Sequence, residues 1–137
     1  MAAATDLRVA DLMTIDPITI GVDASIEEAE EVLRRHHVTG LPVIDDDGLL
    51  VGVISQTDLL YLAAPTVQSL IRHKPSGIRV GEVMSTPPVT IDTSASIGDA
   101  ARVMDGGRLH RLVAVDQAGR PIGVLSAMDF VALAAEN

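Results

Sequence analysis

Apolar residues form two kinds of pattern that alternate along this chain. From Ile26 to Leu33, and again from Ile97 to Met104, they lie three or four positions apart, which is the period of an amphipathic helix. Short runs rich in Val, Ile and Leu follow each of these segments: "LPVID" and "LLVGVIS" first, "LVAVD" and "PIGVLS" later. Such runs are typical of strands. The pattern therefore predicts a mixed α/β (α+β) fold.

Cap and turn residues separate these segments. Serines stand at capping-box spacing before both predicted helices, in the pairs Ser25 with Glu28 and Ser96 with Asp99. Asp- and Gly-containing turns separate the paired strands, at positions 45–48 and 116–119. Short strands "ITI" and "VTI" precede the helices, after a turn or short helix around Met13 and Met84. A second helix is predicted to begin at Ser55 and at Ser126.

The whole pattern occurs twice. A shift of about 71 residues aligns positions 9–64 with 80–135 without a gap, and about 20 of roughly 56 positions are identical. Residues 1–64 therefore form a first repeat, 65–79 a connector marked by Pro and Gly, and 80–137 a second repeat. Each repeat has the order β-α-β-β-α and is marginal alone, so we expect the two to pack together around a common core.

Composition narrows the choice of function. The 137 residues include no Cys, which excludes disulfides, thiolate metal sites and thiol nucleophiles. The formal charge of −9 argues against duplex nucleic acid or an anionic membrane as partner, and the single Tyr and single Phe argue against stacking on single strands. With no signal-like or membrane-length apolar run, we expect a cytoplasmic protein.

Two corners carry the candidate chemistry. "GVISQTDLL", residues 52–60, and "GVLSAMDFV", residues 123–131, each place an Asp three positions after a Ser at the start of a predicted helix. A capping box explains this spacing by itself. A ligand site explains it too, because a fixed carboxylate accepts hydrogen bonds from both hydroxyls of a ribose. Spacing alone favours the cap.

The complete repeat, "VADLM…PITI…ASIEEA…HHVTGLPVIDDDGLLVGVISQTDL" and its second copy, resembles a pair of cystathionine β-synthase (CBS) domains, or Bateman module. The resemblance covers nearly all of the chain. It implies two β-α-β-β-α repeats related by a pseudo-twofold axis, with frequent assembly into disc-like homodimers. It also implies regulatory binding of AMP, ADP, ATP or S-adenosylmethionine in clefts between the repeats, without catalysis.

The resemblance assigns roles residue by residue. Asp58 is expected to hold ribose hydroxyls and Ser55 and Thr57 to contact phosphate, while Ser126 and Asp129 match in the second copy. Met128 replaces the second hydroxyl there, which puts phosphate binding at that corner in doubt. His110 and Arg111 match the family segment that reaches phosphate across the cleft, and we expect them to face Asp58. The first copy has Thr39 and Gly40 instead, so the clefts are expected to differ.

Several other features have simpler interpretations. Asp105, Gly106 and Gly107 predict that the second repeat's first helix ends early and leaves a mobile basic loop. His36 and His37 are interpreted as a helix end and the DDDG segment as a solvated turn, rather than as metal sites. Connector residues Arg72, His73, Lys74 and Arg79 are expected to be solvated, with phosphate or an acidic partner as the alternative. Seven apolar residues are candidates for a slot that holds adenine, or for the core beneath it: Met13, Ile15, Ile18, Val53, Met84, Val89 and Val124.

No phosphate loop, nucleophile arrangement or metal signature is present, so neither an enzyme nor a cofactor or metal is predicted. The sequence favours a homodimeric regulatory module that binds an adenosine-containing molecule and passes the signal to a regulated protein. The alternative is a ligand-free dimerisation or protein-interaction module, in which the duplicated corners only cap helices.

Overall fold

The computed structural model describes residues 6–62, 64 and 77–136. The elements in chain order are α1 Val9–Leu12, β1 Thr14–Ile15, β2 Ile20–Gly21, α2 Ile26–His36, β3 Gly40–Ile44, β4 Leu50–Ser55, α3 Gln56–Leu62, α4 Val80–Val83, β5 Thr90–Ile91, α5 Ile97–Gly107, β6 Arg111–Val115, β7 Pro121–Ser126 and α6 Ala127–Glu136. Helices and strands alternate, which confirms the predicted mixed α/β class.

The chain forms two compact units. Ile18–Pro88 make up one, here called the first-repeat unit; Met1–Pro17 together with Val89–Asn137 make up the other, the second-repeat unit. Each unit therefore contains most of the helices and strands of one repeat together with the short segment that begins the other repeat. The connector cluster Arg72, His73 and Lys74 lies outside the described residues.

The first-repeat unit is built on a three-stranded sheet in the order β2-β3-β4. β2 runs parallel to β3, and β3 runs antiparallel to β4 with Leu41 opposite Ile54. An isolated antiparallel bridge joins Val53 to Ser85 at the outer side of β4, through hydrogen bonds of 3.0 and 2.8 Å. The segment after the connector thus extends the edge of this sheet.

The second-repeat unit repeats this arrangement with a complete fourth strand, in the order β1-β7-β6-β5. Thr14 lies opposite Val124, which is the counterpart of the bridge between Ser85 and Val53. β5 is parallel to β6, and β6 is antiparallel to β7 with Leu112 opposite Leu125. The two-residue strand β1 was not predicted from the sequence.

Each unit has its own core of aliphatic side chains. Leu41 and Ile54 are fully buried in the first-repeat unit, and Leu112 and Leu125 in the second. Alternate residues of β4 and β7 are buried, as expected for strands with one face against the long helix and the other only partly covered. Ala29 and Ala100, on those helices, are also fully buried.

The predicted caps and turns are confirmed. Ser25 Oγ accepts a hydrogen bond from the Glu28 N–H at 3.1 Å, and Ser96 Oγ accepts one from the Asp99 N–H at 3.0 Å. Asp45 Oδ1 accepts from the N–H groups of Asp47 and Leu49, and Gly48 takes a φ of 81°. A carboxylate in this role fixes the turn by side-chain hydrogen bonding to the backbone.

The prediction that α5 ends early is wrong. α5 runs to Gly107 and has the same length as α2, 11 residues. Its end is closed by Arg108 in the left-handed conformation, with the Arg108 N–H donating to Asp105 O and the Leu109 N–H to Met104 O. Burial of Met104 and these capping bonds outweigh the poor helix propensity of the two glycines.

Within the described part of the chain, every helix is too short or too polar to span a lipid bilayer.

Candidate functional site

The first corner joins β4 to α3 through Ser55. The Ser55 N–H donates to Asp58 Oδ2 at 2.8 Å, Ser55 Oγ donates to the same oxygen at 3.0 Å, and the Asp58 N–H lies 3.3 Å from Ser55 Oγ. This is a reciprocal capping box, so the cap predicted for this corner is confirmed. Thr57 projects from the first turn and is exposed, while Asp58 is half-buried.

The second corner has the same geometry in the second-repeat unit. The Ser126 N–H donates to Asp129 Oδ2 at 2.7 Å, and Ser126 Oγ lies 3.2 Å from that oxygen. In both corners the hydrogen bonds converge on Oδ2, and no described residue donates to Oδ1 of Asp58 or Asp129. Each half-buried carboxylate therefore keeps one oxygen available to a ligand hydroxyl while it caps its helix.

The first N–H group of each corner helix is already occupied. The Gln56 N–H donates to Thr39 O at 2.8 Å, and the Ala127 N–H donates to His110 O at 2.9 Å. These bonds tie the corner to the residue just before the neighbouring strand, so Thr39 and His110 occupy equivalent places. A ligand at either corner would meet hydroxyls and the carboxylate rather than this first backbone donor.

His110 and Arg111 lie beside the second corner in their own unit. Arg111 begins β6 and pairs in register with Ser126, whereas Gly40 pairs with Ser55 in the first-repeat unit. His110 is exposed and Arg111 is half-buried. The second-repeat unit therefore brings together four of the predicted site residues, Ser126, Asp129, His110 and Arg111, and the first-repeat unit brings together Ser55, Thr57 and Asp58.

The seven apolar candidates for an adenine slot separate into two groups. Met13, Ile18 and Met84 pack against the cores of their units. Ile15 is 64% and Val89 is 44% exposed, and Val53 and Val124 are half-buried. The last four are available to an apolar ligand, whereas the first three support the sheet beneath.

A contact that sequence reasoning missed lies at the edge of each sheet. Met84 covers Gly52, and Met13 covers Gly123, so that a Cβ on either glycine would meet the thioether side chain. The signal was present in the sequence, because Met13, Gly52, Met84 and Gly123 all recur at the same shift of the repeat. Only the strand pairing reveals that each methionine contacts the glycine of the other repeat.

Metal ligation has little support in the described residues. They contain no group of three or more His, Asp and Glu side chains placed to hold a metal ion. His37 instead ends α2 in the left-handed conformation at φ 55°, with its N–H donating to Arg34 O. This confirms its interpretation as a helix end. Arg79, the last connector residue, is exposed, and its guanidinium donates to Asp23 O at 3.4 Å.

Comparison with known proteins identifies the family. The model of the CBS domain matches residues 9–64 and 80–136, so the chain belongs to the CBS domain family as a tandem pair. CBSX2, a chloroplastic CBS domain-containing protein of Arabidopsis thaliana, is 36% identical over 123 residues, which cover 74% of this chain and 52% of that protein. Inosine-5'-monophosphate dehydrogenase of Mycobacterium tuberculosis is 31% identical over 120 residues, covering 87% of this chain and 21% of the enzyme.

Solved structures agree with this assignment. CBSX2 in complex with AMP matches at a TM-score of 0.83 and 38% identity, covering 95% of this chain and 97% of that one. The CBS domain pair of protein MJ0100, in complex with 5'-methylthioadenosine and S-adenosyl-L-methionine, matches at 0.83 and 25% identity, covering 94% and 96%. The chain spans about half the length of the curated CBSX2 and about a fifth of the dehydrogenase.

Proposed function

We propose that this chain is a regulatory CBS-pair module that binds an adenosine-containing ligand, such as AMP, ADP, ATP or S-adenosylmethionine. The observation that carries the proposal is its similarity along 95% of its length to CBSX2, a protein whose structure contains AMP. The MJ0100 pair, with two other adenosine derivatives, supports the same ligand class. The common part of these ligands is adenosine, so adenosine is the part we assign to the site.

In this proposal Asp58 and Asp129 accept hydrogen bonds from ribose hydroxyls through the carboxylate oxygen that does not cap the helix. Ser55 and Thr57 contact phosphate at the first corner, and His110 and Arg111 also reach phosphate. Ser126 contacts the ligand at the second corner. The support is the geometry of the two corners, in which Oδ2 receives the capping bonds and Oδ1 receives none from the described residues. Carboxylates in such positions form strong, charge-assisted hydrogen bonds.

The module is proposed to regulate rather than catalyse. Its similarity to the dehydrogenase covers only 21% of that enzyme, and the sequence lacks a phosphate loop or a placed nucleophile. We propose that it works as a homodimer in the cytoplasm and acts on a regulated protein. The CBSX relatives carry chloroplastic in their names, so the compartment can differ between members.

Thermal melting tests ligand binding directly. A ligand at one hundred times its dissociation constant should stabilise the folded protein by about 2.7 kcal/mol. We expect AMP, ADP, ATP, S-adenosylmethionine or NAD to raise the melting temperature, with adenine alone and ribose 5-phosphate alone as controls that contain only part of the ligand. If none of the five adenosine compounds moves the melting temperature, the proposal is wrong.

The alternative is a ligand-free interaction module. It is favoured by large apolar side chains that are exposed on α3 and α6, among them Leu60 and Tyr61, each 68% exposed, and Met128, 69% exposed. Under this alternative the corners only cap helices, and self-association proceeds without nucleotide. The melting experiment distinguishes the two functions, because only the first predicts a shift.

A further inference from the structure

Met128 lies at the second corner with most of its side chain in solvent. It stands between Ser126 and Asp129, in the first turn of α6, and is 69% exposed. Thr57 holds the equivalent place at the first corner and is also exposed. Methionine usually fills gaps in an apolar core, where its flexible thioether can adapt to its neighbours. Packing therefore does not account for a methionine at position 128.

The other methionines of the described residues are protected from solvent. Met104 belongs to the second-repeat core and is 6% exposed. Met13 and Met84 are half-buried, and their sulfur atoms lie against Gly123 and Gly52 so closely that a Cβ on either glycine would meet the sulfur. This contact leaves little room for an added oxygen atom on that side of either sulfur.

Thioethers are the oxidisable sulfur groups of this chain, because it contains five methionines and no cysteine. Met1, the fifth, lies outside the described residues. Oxidation of methionine gives a sulfoxide, and sulfoxide reductases return it to the thioether. Among the four described methionines, exposure therefore favours oxidation at Met128.

We propose that Met128 is a site of reversible oxidation, and that its sulfoxide lowers the affinity of the second corner for phosphorylated adenosine ligands. A peroxide such as hydrogen peroxide is the oxidant. Its O–O bond breaks, an S–O bond forms, and the second oxygen leaves as water, so that the sulfur loses the two electrons that the peroxide gains. A reductase reverses the step with two thiols, which become a disulfide while the sulfoxide oxygen leaves as water.

Oxidation changes which groups the corner can hold. A thioether is a weak hydrogen-bond acceptor, whereas a sulfoxide oxygen has a partial negative charge and accepts hydrogen bonds strongly. Phosphate oxygens also accept, so the sulfoxide repels phosphate and competes with it for donors. A ribose hydroxyl can donate to either group. We therefore expect oxidation to weaken the binding of AMP more than that of adenosine. This effect on affinity rests on the proposed function, whereas the oxidation of Met128 does not.

Peptide mass spectrometry tests the site of oxidation. The full chain is treated with hydrogen peroxide for increasing times, and the sulfoxide is measured at each methionine. We expect Met128 to oxidise several-fold faster than Met13, Met84 and Met104, and this difference to disappear when the protein is unfolded in urea. Equal rates in the folded protein, or faster oxidation at any of the other three, would overturn the proposal.

Calorimetry tests the effect on binding. Untreated protein and protein oxidised at Met128 are titrated with AMP and with adenosine. Every sample carries Asp58→Asn, which weakens the first corner so that the titration reports the second. Met128→Leu, which has no sulfur at this position, is given the same peroxide treatment as the matched control. We expect oxidation to lower the affinity for AMP several-fold and that for adenosine less. A sulfoxide reductase with dithiothreitol should restore both, and the control should not respond.

Three results would contradict the effect on affinity. Unchanged affinity after oxidation would show that the sulfoxide does not reach the ligand, and an equal fall for AMP and adenosine would show that phosphate is not the affected group. An equal fall in Met128→Leu would assign the effect to another residue. If the unaltered, untreated protein binds no adenosine compound, the proposed function is wrong and the effect on affinity with it, whereas the peptide measurement decides the oxidation site independently.

Discussion

The side chain of Met13 lies against the backbone of Gly123 on β7, so closely that a Cβ on Gly123 would come within 3.0 Å of Met13 Cγ. The same relationship joins Met84 to Gly52 in the first-repeat unit, where that Cβ would also lie 2.9 Å from the Ser85 carbonyl oxygen. Close approach of a side chain or a second strand is one reason for glycine within a strand. These two contacts attach the short segment at the start of each repeat to the sheet that it completes.

We predict that Gly52→Ala and Gly123→Ala both destabilise the fold, within the range of about 1–3 kcal/mol typical of overpacking. Gly52→Ala should cost more, because a backbone carbonyl yields less easily than a thioether. Adding Met13→Ala should recover part of the loss in Gly123→Ala, whereas Met84→Ala should recover less in Gly52→Ala. Urea denaturation measures all four variants. Equal costs with equal recovery would show that the Ser85 carbonyl is unimportant.

Replacement of the left-handed residue at the end of α2 should stabilise the protein. His37 has φ 55° and ψ 40°, a conformation that costs a residue with a side chain about 1–2 kcal/mol. His37→Gly removes this cost, but glycine loses about 0.5–1 kcal/mol more conformational entropy on folding. We therefore expect the free energy of unfolding to rise by about 0.5–1 kcal/mol.

His36→Gly, one residue earlier and inside the helix, is the matched control for that variant. It should destabilise, because glycine is a poor helix former. Chemical denaturation gives both values. If the two variants shift the midpoint in the same direction, the conformation of residue 37 is not the cause.

The ribose assignment predicts that affinity and stability respond differently at the corners. In Asp58→Asn or Asp129→Asn the amide oxygen still accepts a capping hydrogen bond, but the hydrogen bond of a ribose hydroxyl to a charged group is lost. Such bonds contribute about 1.5–3 kcal/mol, so affinity for the bound adenosine compound should fall about tenfold or more. Calorimetry measures the affinity and thermal melting the stability of the free protein.

Asp99→Asn provides the control for these two variants. Asp99 lies at the same capping position after Ser96, and its side chain pairs with Arg102 rather than with a candidate site residue. Its replacement should reduce stability and leave affinity unchanged. Unchanged affinity in all three variants would mean that the corners are caps only.

The difference between Thr57 and Met128 predicts unequal sites for phosphorylated ligands. A hydroxyl at position 57 can donate to phosphate, whereas the thioether at position 128, which is 69% exposed, cannot. Titration with ATP should therefore give one stronger and one weaker site, and Met128→Thr should strengthen the weaker one. The reciprocal variant Thr57→Met should weaken the stronger site. Two identical sites in the unaltered protein would contradict this assignment.

Acid should destabilise the protein partly through the turn before β7. Asp116 Oδ1 accepts hydrogen bonds from the N–H groups of Arg120 and Ala118, each at 2.9 Å. The Arg120 N–H is the main cause of a lowered pKa for this carboxyl, whose usual pKa is 3.8. Because the folded-state pKa is depressed, the stabilisation is present above about pH 3.8 and is lost as the pH falls through the folded value.

Asp116→Asn tests this because the amide keeps the turn but does not titrate. The variant should lose less unfolding free energy than the unaltered protein between about pH 5 and pH 2.5, measured by denaturation with urea. The pKa of Glu31 is lowered first by a side-chain hydrogen bond from Arg35 and then by the charge of Arg34. Because these groups are exposed, added salt should screen their attraction and remove the stabilisation that Glu31 provides. The stabilisation by Asp116 should persist in salt, because it comes from hydrogen bonds to backbone N–H groups. If Asp116→Asn and the unaltered protein lose the same free energy of unfolding in acid, Asp116 does not cause the acid sensitivity.

Much of the local structure could be predicted because short-range chemistry specifies it. Ser25 and Ser96 cap helices as their spacing indicates, and Asp45 and Asp116 organise the turns that precede β4 and β7. The end of α5 could not be predicted in this way. Gly106 and Gly107 indicate a break, but burial of Met104 and closure by Arg108 extend the helix to Gly107.

The candidate site was predictable to the same extent. The duplicated Ser and Asp positions identify both corners, and the resemblance to CBS domains supplies their proposed ligand. The sequence does not reveal that Asp58 and Asp129 direct one oxygen to the cap while the other stays available, because both interpretations require the same residues. Nor does it place Arg111 beside Ser126, which depends on the register of β6 with β7.

The sequence by itself determined the repeat, the helices and main strands within it, and the family, because periodicity, caps and turns act over a few residues. Only the tertiary structure decided which sheet is joined by the short segment at the start of each repeat. Thr14 and Ile15 pair with β7, more than a hundred residues away, and Ser85 pairs with Val53 of the first repeat. A two-residue strand has too little local signal to choose its partner, so the choice is made by the exposed strand edge and by the glycine beneath each methionine.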